Sequence, residues 1–212
     1  MTRHVVGTGR HDEGLQRIES FADGVIAIAI TLLVLTLAEP PPDVEGARLV
    51  REVLRQWPHF LAYGISFVVV GRFWVVHHHL FRYVQRYDPG FLALNLAFLL
   101  TLAFLPYPTE LLGDHSADPF AILFYAGSVA AASLASTALW IYATRGHRLV
   151  DPRLPEVEIR HVRQRSLVNG VVFLISMPLA LVSPVLAYAA WASLIPIRFA
   201  IRAVHRRETA GR

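Results

Sequence analysis

Between Phe21 and Leu37 the chain runs for 17 residues with a single charge, Asp23. As a helix that stretch is about 25 Å long, against a bilayer hydrocarbon core of roughly 30 Å. Arg17 and Glu19 precede it, and Glu39 with the triple proline Pro40–Pro42 ends it. A carboxylate inside such a helix costs roughly 2.5–3.5 kcal/mol on insertion scales and by default marks a functional site. Long uncharged runs recur at Phe91–Thr109, Pro119–Thr144 and Ser166–Ile197. With 54% hydrophobic and 17% charged residues, the chain has a membrane composition, and its 212 residues suit one domain.

Hydropathy therefore predicts an all-α integral membrane protein, a single domain over 1–212, with six spans at about 18–38, 58–81, 91–112, 119–144, 166–182 and 184–203. As one helix Ser166–Ile197 would be about 48 Å long, too long for one crossing. Ser183-Pro184 near its middle divides it into two short spans. Residues 40–53 read as a polar loop with a short amphipathic start to the next helix, and 145–165 as an arginine-rich polar loop.

Six spans place both termini on one side. Arg82 and Arg86, the six arginines from Arg145 to Arg165, and five in the tail from Arg198 then share that side, against Arg48, Arg51 and Arg55 on the other. The positive-inside rule makes the shared side cytoplasmic, so both termini are expected there. The formal net charge is +4, and all 20 basic residues are arginine. They lie in loops between apolar runs, so topology accounts for them and no nucleic-acid partner is expected. Met1–Gln16 is polar, without the apolar core of a cleavable signal. There is no cysteine, hence no disulfide and no thiolate metal site.

At about 100° per residue, Gly24, Ile28, Thr31 and Leu35 fall on one stripe of the first span, and Asp23, Ala27, Ile30 and Val34 on its neighbour. One stripe can face a symmetry axis while the other meets a helix of the same subunit. The second span runs back toward the cytoplasm at Trp74 and His77, which brings Arg17, Asp23, Trp74 and His77 to one membrane depth. A buried carboxylate there needs a donor, and His77 is the expected partner, ahead of the Trp74 indole and the Arg17 guanidinium. Alone, Ser20-Phe-Ala-Asp23 also reads as a helix-start capping pattern. Consecutive helical residues point about 100° apart, so His77, His78 and His79 cannot share one ion, and no HExxH pattern is present. No metal and no cofactor is expected. The small-residue run Ala130–Ser136 suits either subunit contact or internal helix packing.

Arg17-x-x-x-Phe21-Ala22-Asp23, a threonine eight residues after the aspartate, Phe73-Trp74 with His77-His78, Asn95, and Pro106-Tyr-Pro108-Thr109 stand in one order. These motifs, covering roughly the first half of the chain, resemble the endolysosomal and prokaryotic potassium channels of the transmembrane protein 175 type. Ala22 stands where that family usually has serine. The resemblance implies a homotetramer with the first helix of each subunit around a central pore. On that picture Ile28, Thr31 and Leu35 line the pore, with Ile28 the constriction and the Thr31 hydroxyls assisting selectivity. Arg17, Phe21, Asp23, Trp74, His77 and Asn95 form the structural polar network that holds the pore helix in register.

The expected function is a potassium-favouring cation channel of the plasma membrane, whose partners are K⁺, further copies of itself and the bilayer. The alternatives are a secondary transporter or a proton-conducting channel using the Asp23/His77 network. A TVGYG-type filter, a P-loop and a GxSxG nucleophile motif are all missing from the sequence, so no enzyme is expected.

Overall fold

The computed structural model describes residues 8–192. Helix α1 spans Thr8–Leu32 and tightens into a 3-10 turn over Leu33–Thr36. Then follow α2 (Gly46–Arg55), α3 (Trp57–Phe81), α4 (Pro89–Phe104), α5 (Pro106–Asp114), α6 (Pro119–Thr144), α7 (Glu156–Val182) and α8 (Pro184–Ala192). Among the described residues, five segments are long and apolar enough to cross a membrane: Glu13–Thr36, Trp57–Phe81, Pro89–Asp114, Pro119–His147 and Glu156–Val182.

The boundaries follow local chemistry. Asp88 caps α4 by accepting the Phe91 amide at 2.8 Å, and Asp118 caps α6 by accepting that of Phe120 at 2.7 Å. Both helices open on proline, whose missing N–H costs nothing in a first turn. The third span, expected at 91–112, lies in the apolar segment Pro89–Asp114, which a turn at Leu105 divides into α4 and α5. Pro106 has no amide for the Leu102 carbonyl, which instead accepts the Leu105 amide at 3.1 Å in a tight turn. Ser183 is extended (φ −161°, ψ 131°) ahead of Pro184, and there α7 gives way to α8.

The first span, expected at about 18–38, lies in a helix that begins at Thr8 and is α-helical only to Leu32. Two expectations are corrected. The 145–165 segment is not all loop, because α7 starts at Glu156 and carries Arg160 and Arg163 on its first turns. The amphipathic piece before the second span is a separate helix, α2. Of the expected sixth span only Pro184–Ala192 is described. Its continuation to 203 and the arginines from Arg198 onward lie outside the described residues.

One apolar core joins α1, α3, α4, α6, α7 and α8 through side chains such as Leu33, Phe73, Phe98, Tyr125, Phe173 and Trp191. A second, at the other end of the bundle, packs Leu80, Phe81, Phe91, Trp140, Val150 and Ile159. It is closed by the Trp140 indole donating to the Ile159 carbonyl at 2.8 Å, and by the Gln85 amide donating to the Leu149 carbonyl at 2.8 Å. The small-residue run faces inward: Ala130, Ala132, Ser133 and Ser136 are buried. The Gly170 amide of α7 donates to Ser133 Oγ at 2.9 Å, and a Cβ at position 170 would lie 2.7 Å from that oxygen. This run therefore packs α6 on α7 within the subunit.

Candidate functional site

The packed face of α1 is Ala22, Ile26, Ala29 and Leu33, spaced four, three and four, each no more than 2% exposed. That heptad-like seam sits on the α3–α4 side of the bundle. The sequence reading placed the seam one residue further on, through Asp23, Ala27, Ile30 and Val34. Of those, Ala27 and Val34 are exposed, while Ile30 packs against the core and lies toward Gly71 of α3. The stripe on the far side is open: Gly24 and Thr31 are exposed, Ile28 is 61% exposed and Leu35 is 74% exposed. Among the described residues Gly24, Ile28 and Thr31, on one line of a hydrophobic helix, and Leu35 beyond them thus have no cover.

Thr31 is arranged in a particular way on that line. Its hydroxyl donates back to the Ala27 and Ile28 carbonyls, at 3.0 and 2.9 Å. The proton is therefore directed into the helix, and the oxygen lone pairs are left to face outward. Leu35 is less well aligned than Ile28 and Thr31. A 3-10 turn advances about 120° per residue, so the tightening after Leu32 carries Leu35 roughly 60° off the line.

At the other end of α1 two rungs tie it to α3. The Trp74 indole donates to Asp23 Oδ1 at 2.9 Å, and His78 Nδ1 lies 3.4 Å from Glu19 Oε1, an ion pair when the imidazole is charged. Glu19 and Asp23 are four apart, as are Trp74 and His78, so each pair shares a helix face and the antiparallel helices meet in register. Trp74 also stacks on His78, with ring centroids 5.9 Å apart.

His77 is not the partner of Asp23. It is fully buried, and its Nε2 donates to Asn95 Oδ1 of α4 at 2.9 Å. Phe98 stacks on it at 5.4 Å with planes 11° apart, and Phe81 lies 4.5 Å away. Helical geometry explains the difference: Trp74 and His77 are about 60° apart on α3, enough for one to reach α1 and the other α4. His79 turns to its own helix, 2.6 Å from the Val75 carbonyl. The three histidines thus have three separate partners. Arg17 is exposed and joins this cluster through no hydrogen bond or ion pair among the described residues. Phe21 is 55% exposed. The expected six-residue network is therefore two pairs, Asp23–Trp74 and His77–Asn95, with Arg17 and Phe21 outside them.

Two polar clusters escaped the sequence reading. Ser66 Oγ lies 2.8 Å from Thr109 Oγ1 and 2.9 Å from the Tyr125 hydroxyl, all three buried, which joins α3, α5 and α6. Asp88 accepts from the Tyr142 hydroxyl at 3.0 Å and pairs with Arg148 at 2.8 Å. The Phe91 amide, then Tyr142 and Arg148, hold the Asp88 carboxyl below the usual carboxylate range.

Fold and site together define a multi-pass, all-helical membrane protein whose first helix has an uncovered apolar stripe and a polar brace at its base. The family model described as "Endosomal/lysosomal potassium channel TMEM175" matches residues 17–106. A potassium channel of Streptomyces collinus is 39% identical over 178 residues, 82% of this chain and 86% of the relative. A potassium channel of Chamaesiphon minutus is 34% identical over 190 residues, 88% of this chain and 93% of the relative. The crystal structure of a lysosomal potassium-selective channel TMEM175 homolog from Chamaesiphon minutus superposes with a TM-score of 0.77 at 32% identity, covering 90% of this chain and 98% of that one. The chain belongs to the TMEM175 family, a family of ion channels and not of enzymes.

Proposed function

We propose that this protein is a potassium-favouring cation channel in which α1 of each of four identical subunits lines a central pore. The observation that carries the reading is the uncovered line Gly24, Ile28 and Thr31 on a helix whose opposite face is fully packed. An apolar stripe of this kind can be covered by its own copies around an axis. The names of the relatives, a potassium channel and a potassium-selective homolog, supply the ion.

In this reading Gly24 leaves the pore wide near the brace, and four Ile28 side chains form the constriction. A narrow apolar ring disfavours the more strongly hydrated sodium and can close by dewetting. The outward lone pairs of four Thr31 hydroxyls then offer a dehydrating cation oxygen ligands one turn further on. Leu35, rotated off the line, contributes least. Asp23–Trp74 and His77–Asn95 keep α1 in register and stay out of the ion path. In this reading the subunit has six spans in the plasma membrane, with both termini cytoplasmic.

Reconstitution into liposomes under opposed K⁺ and Na⁺ gradients tests this. Reversal potentials tracking the K⁺ gradient are expected. Potentials that follow only an imposed pH gradient would favour proton conduction, and saturable flux without conductance would favour a transporter.

A further inference from the structure

Helix α2 lies between the two membrane-spanning helices α1 and α3, after the turn at Leu33–Thr36 and immediately before Trp57. None of its residues is buried. On the helical wheel Leu49, Val50, Val53 and Leu54 fall within about 140°, and Arg48, Arg51 and Arg55 fall within about 60° on the opposite side. Val50 is 58% and Leu54 67% exposed, and Trp57 just beyond is 62% exposed. An open cleft of about 740 Å³ beside the helix has Arg48, Arg51 and Arg55 on its walls together with Leu54 and Trp57, and with the carboxylates of Asp43 and Glu52. Glu52 pairs with Arg55 at 3.4 Å, whereas Arg48 and Arg51 form no ion pair among the described residues.

We infer that α2 lies along the membrane interface, with Leu49, Val50, Val53, Leu54 and Trp57 in the acyl boundary and the guanidinium groups of Arg48 and Arg51 on the phosphates of anionic phospholipids. An exposed apolar arc needs an apolar cover, and a helix tethered where two spans leave the bilayer has that cover beside it. Arg48 and Arg51 are exposed and form no ion pair among the described residues, so both are open to an anion, and planar guanidinium matches phosphate with two parallel hydrogen bonds. Trp57, which opens α3 just beyond α2, suits the boundary with the headgroups, where an apolar ring and an N–H donor are both satisfied. A second copy of the chain would bring Asp43 and Glu52 but no bilayer-depth cover for the apolar arc, so lipid, which offers both phosphate and acyl chains, is the occupant assigned here.

The native chain has no cysteine, so single-cysteine variants take one label each. Leu54→Cys and Arg48→Cys, labelled with an environment-sensitive fluorophore in the full-length protein, are reconstituted with phosphatidylcholine containing increasing phosphatidylglycerol, either lipid bearing a shallow doxyl quencher. Quenching should be about threefold stronger at Leu54 than at Arg48. Doxyl-phosphatidylglycerol should act at lower mole fraction than doxyl-phosphatidylcholine. Replacing Arg48 and Arg51 by Gln in the Leu54→Cys background should raise the fraction needed by about fivefold per arginine. Equal quenching at the two positions, no preference for the anionic lipid, or crosslinking of Leu54→Cys between subunits with quenching lost would each overturn the assignment. None of these readouts depends on conduction, so their failure leaves the channel reading where it stands.

Discussion

Trp74 Nε1 donates to Asp23 Oδ1 at 2.9 Å, so the one carboxylate placed inside the apolar run of α1 is held by the indole of α3. One turn away Glu19 meets His78 in the same register. A pair of rungs fixes both the height and the rotation of α1, and rotation decides which side chains point away from the subunit.

The first prediction follows from that bond. Trp74→Phe keeps a ring but leaves the carboxylate without its indole donor, which costs roughly 1–3 kcal/mol. Asp23→Asn retains an oxygen acceptor and should cost less. Thermal unfolding and size-exclusion profiles of the purified variants should rank them in that order, with the K⁺/Na⁺ permeability ratio kept. Normal assembly of Asp23→Asn with a collapsed ratio would mean that Asp23 lines the ion path.

A second prediction concerns His77 and Asn95, both buried. Asn95→Leu leaves the His77 Nε2 proton without an acceptor inside a ring of phenylalanines, again at roughly 1–3 kcal/mol. The double variant His77→Phe/Asn95→Leu removes both partners and should recover much of that loss in thermal stability. Additive losses would contradict the pairing.

The third prediction concerns pH. The Asp88 carboxyl is depressed by the Phe91 amide, and then by Tyr142 and Arg148. A carboxyl whose folded pKa lies below its unfolded value contributes stability that is fully present above the unfolded value. That contribution is lost as pH falls through the folded one. Its share should thus be constant from neutrality down to about pH 4 and fade below it. Asp88→Asn should lower the melting temperature at pH 7 and flatten the acid limb below pH 4. An unchanged acid limb would remove Asp88 from that role.

Much of the architecture was legible because uncharged length and proline are one-dimensional signals. Asp118-Pro119 and Thr144-Arg145 bound α6 in sequence as they do in structure. The start of α7 was not legible, since an arginine-rich helix reads as loop when charge alone is counted. The seam of α1 was missed by one residue, because apolar side chains stand on both stripes and only contact with α3 and α4 shows which of them packs. The Glu19–His78 rung had a readable signal in the matching four-residue spacings on two antiparallel helices. The Ser66–Thr109–Tyr125 cluster had none, since nothing in sequence ties residues on three helices. Ala22 is fully buried among apolar side chains, so serine's absence there strands no partner among the described residues.

A fourth prediction tests the α6–α7 contact. A methyl at Gly170 would stand 2.7 Å from Ser133 Oγ and 2.9 Å from its Cβ. Gly170→Ala should destabilise by about 1–3 kcal/mol through overpacking. Ser133→Gly should relieve it in the double variant, read by thermal unfolding. Unchanged stability of Gly170→Ala alone would show that the two helices separate more easily than the packing implies.

The central claim is the rotation of α1, and Ile28 and Ile30 lie about 200° apart on it. Liposome or single-channel recordings of Ile28→Asn and Ile30→Asn therefore compare an uncovered position with a packed one. In the proposed four-subunit pore, four amides in place of four apolar side chains at the constriction would abolish dewetting and give sodium ligands. Ile28→Asn should raise current and lower K⁺/Na⁺ discrimination, and Thr31→Val should lower discrimination modestly. Ile30→Asn should instead reduce folded yield, with selectivity kept in what assembles. Unchanged conductance and reversal potential in Ile28→Asn would contradict the account, because α1 would then not form the constriction.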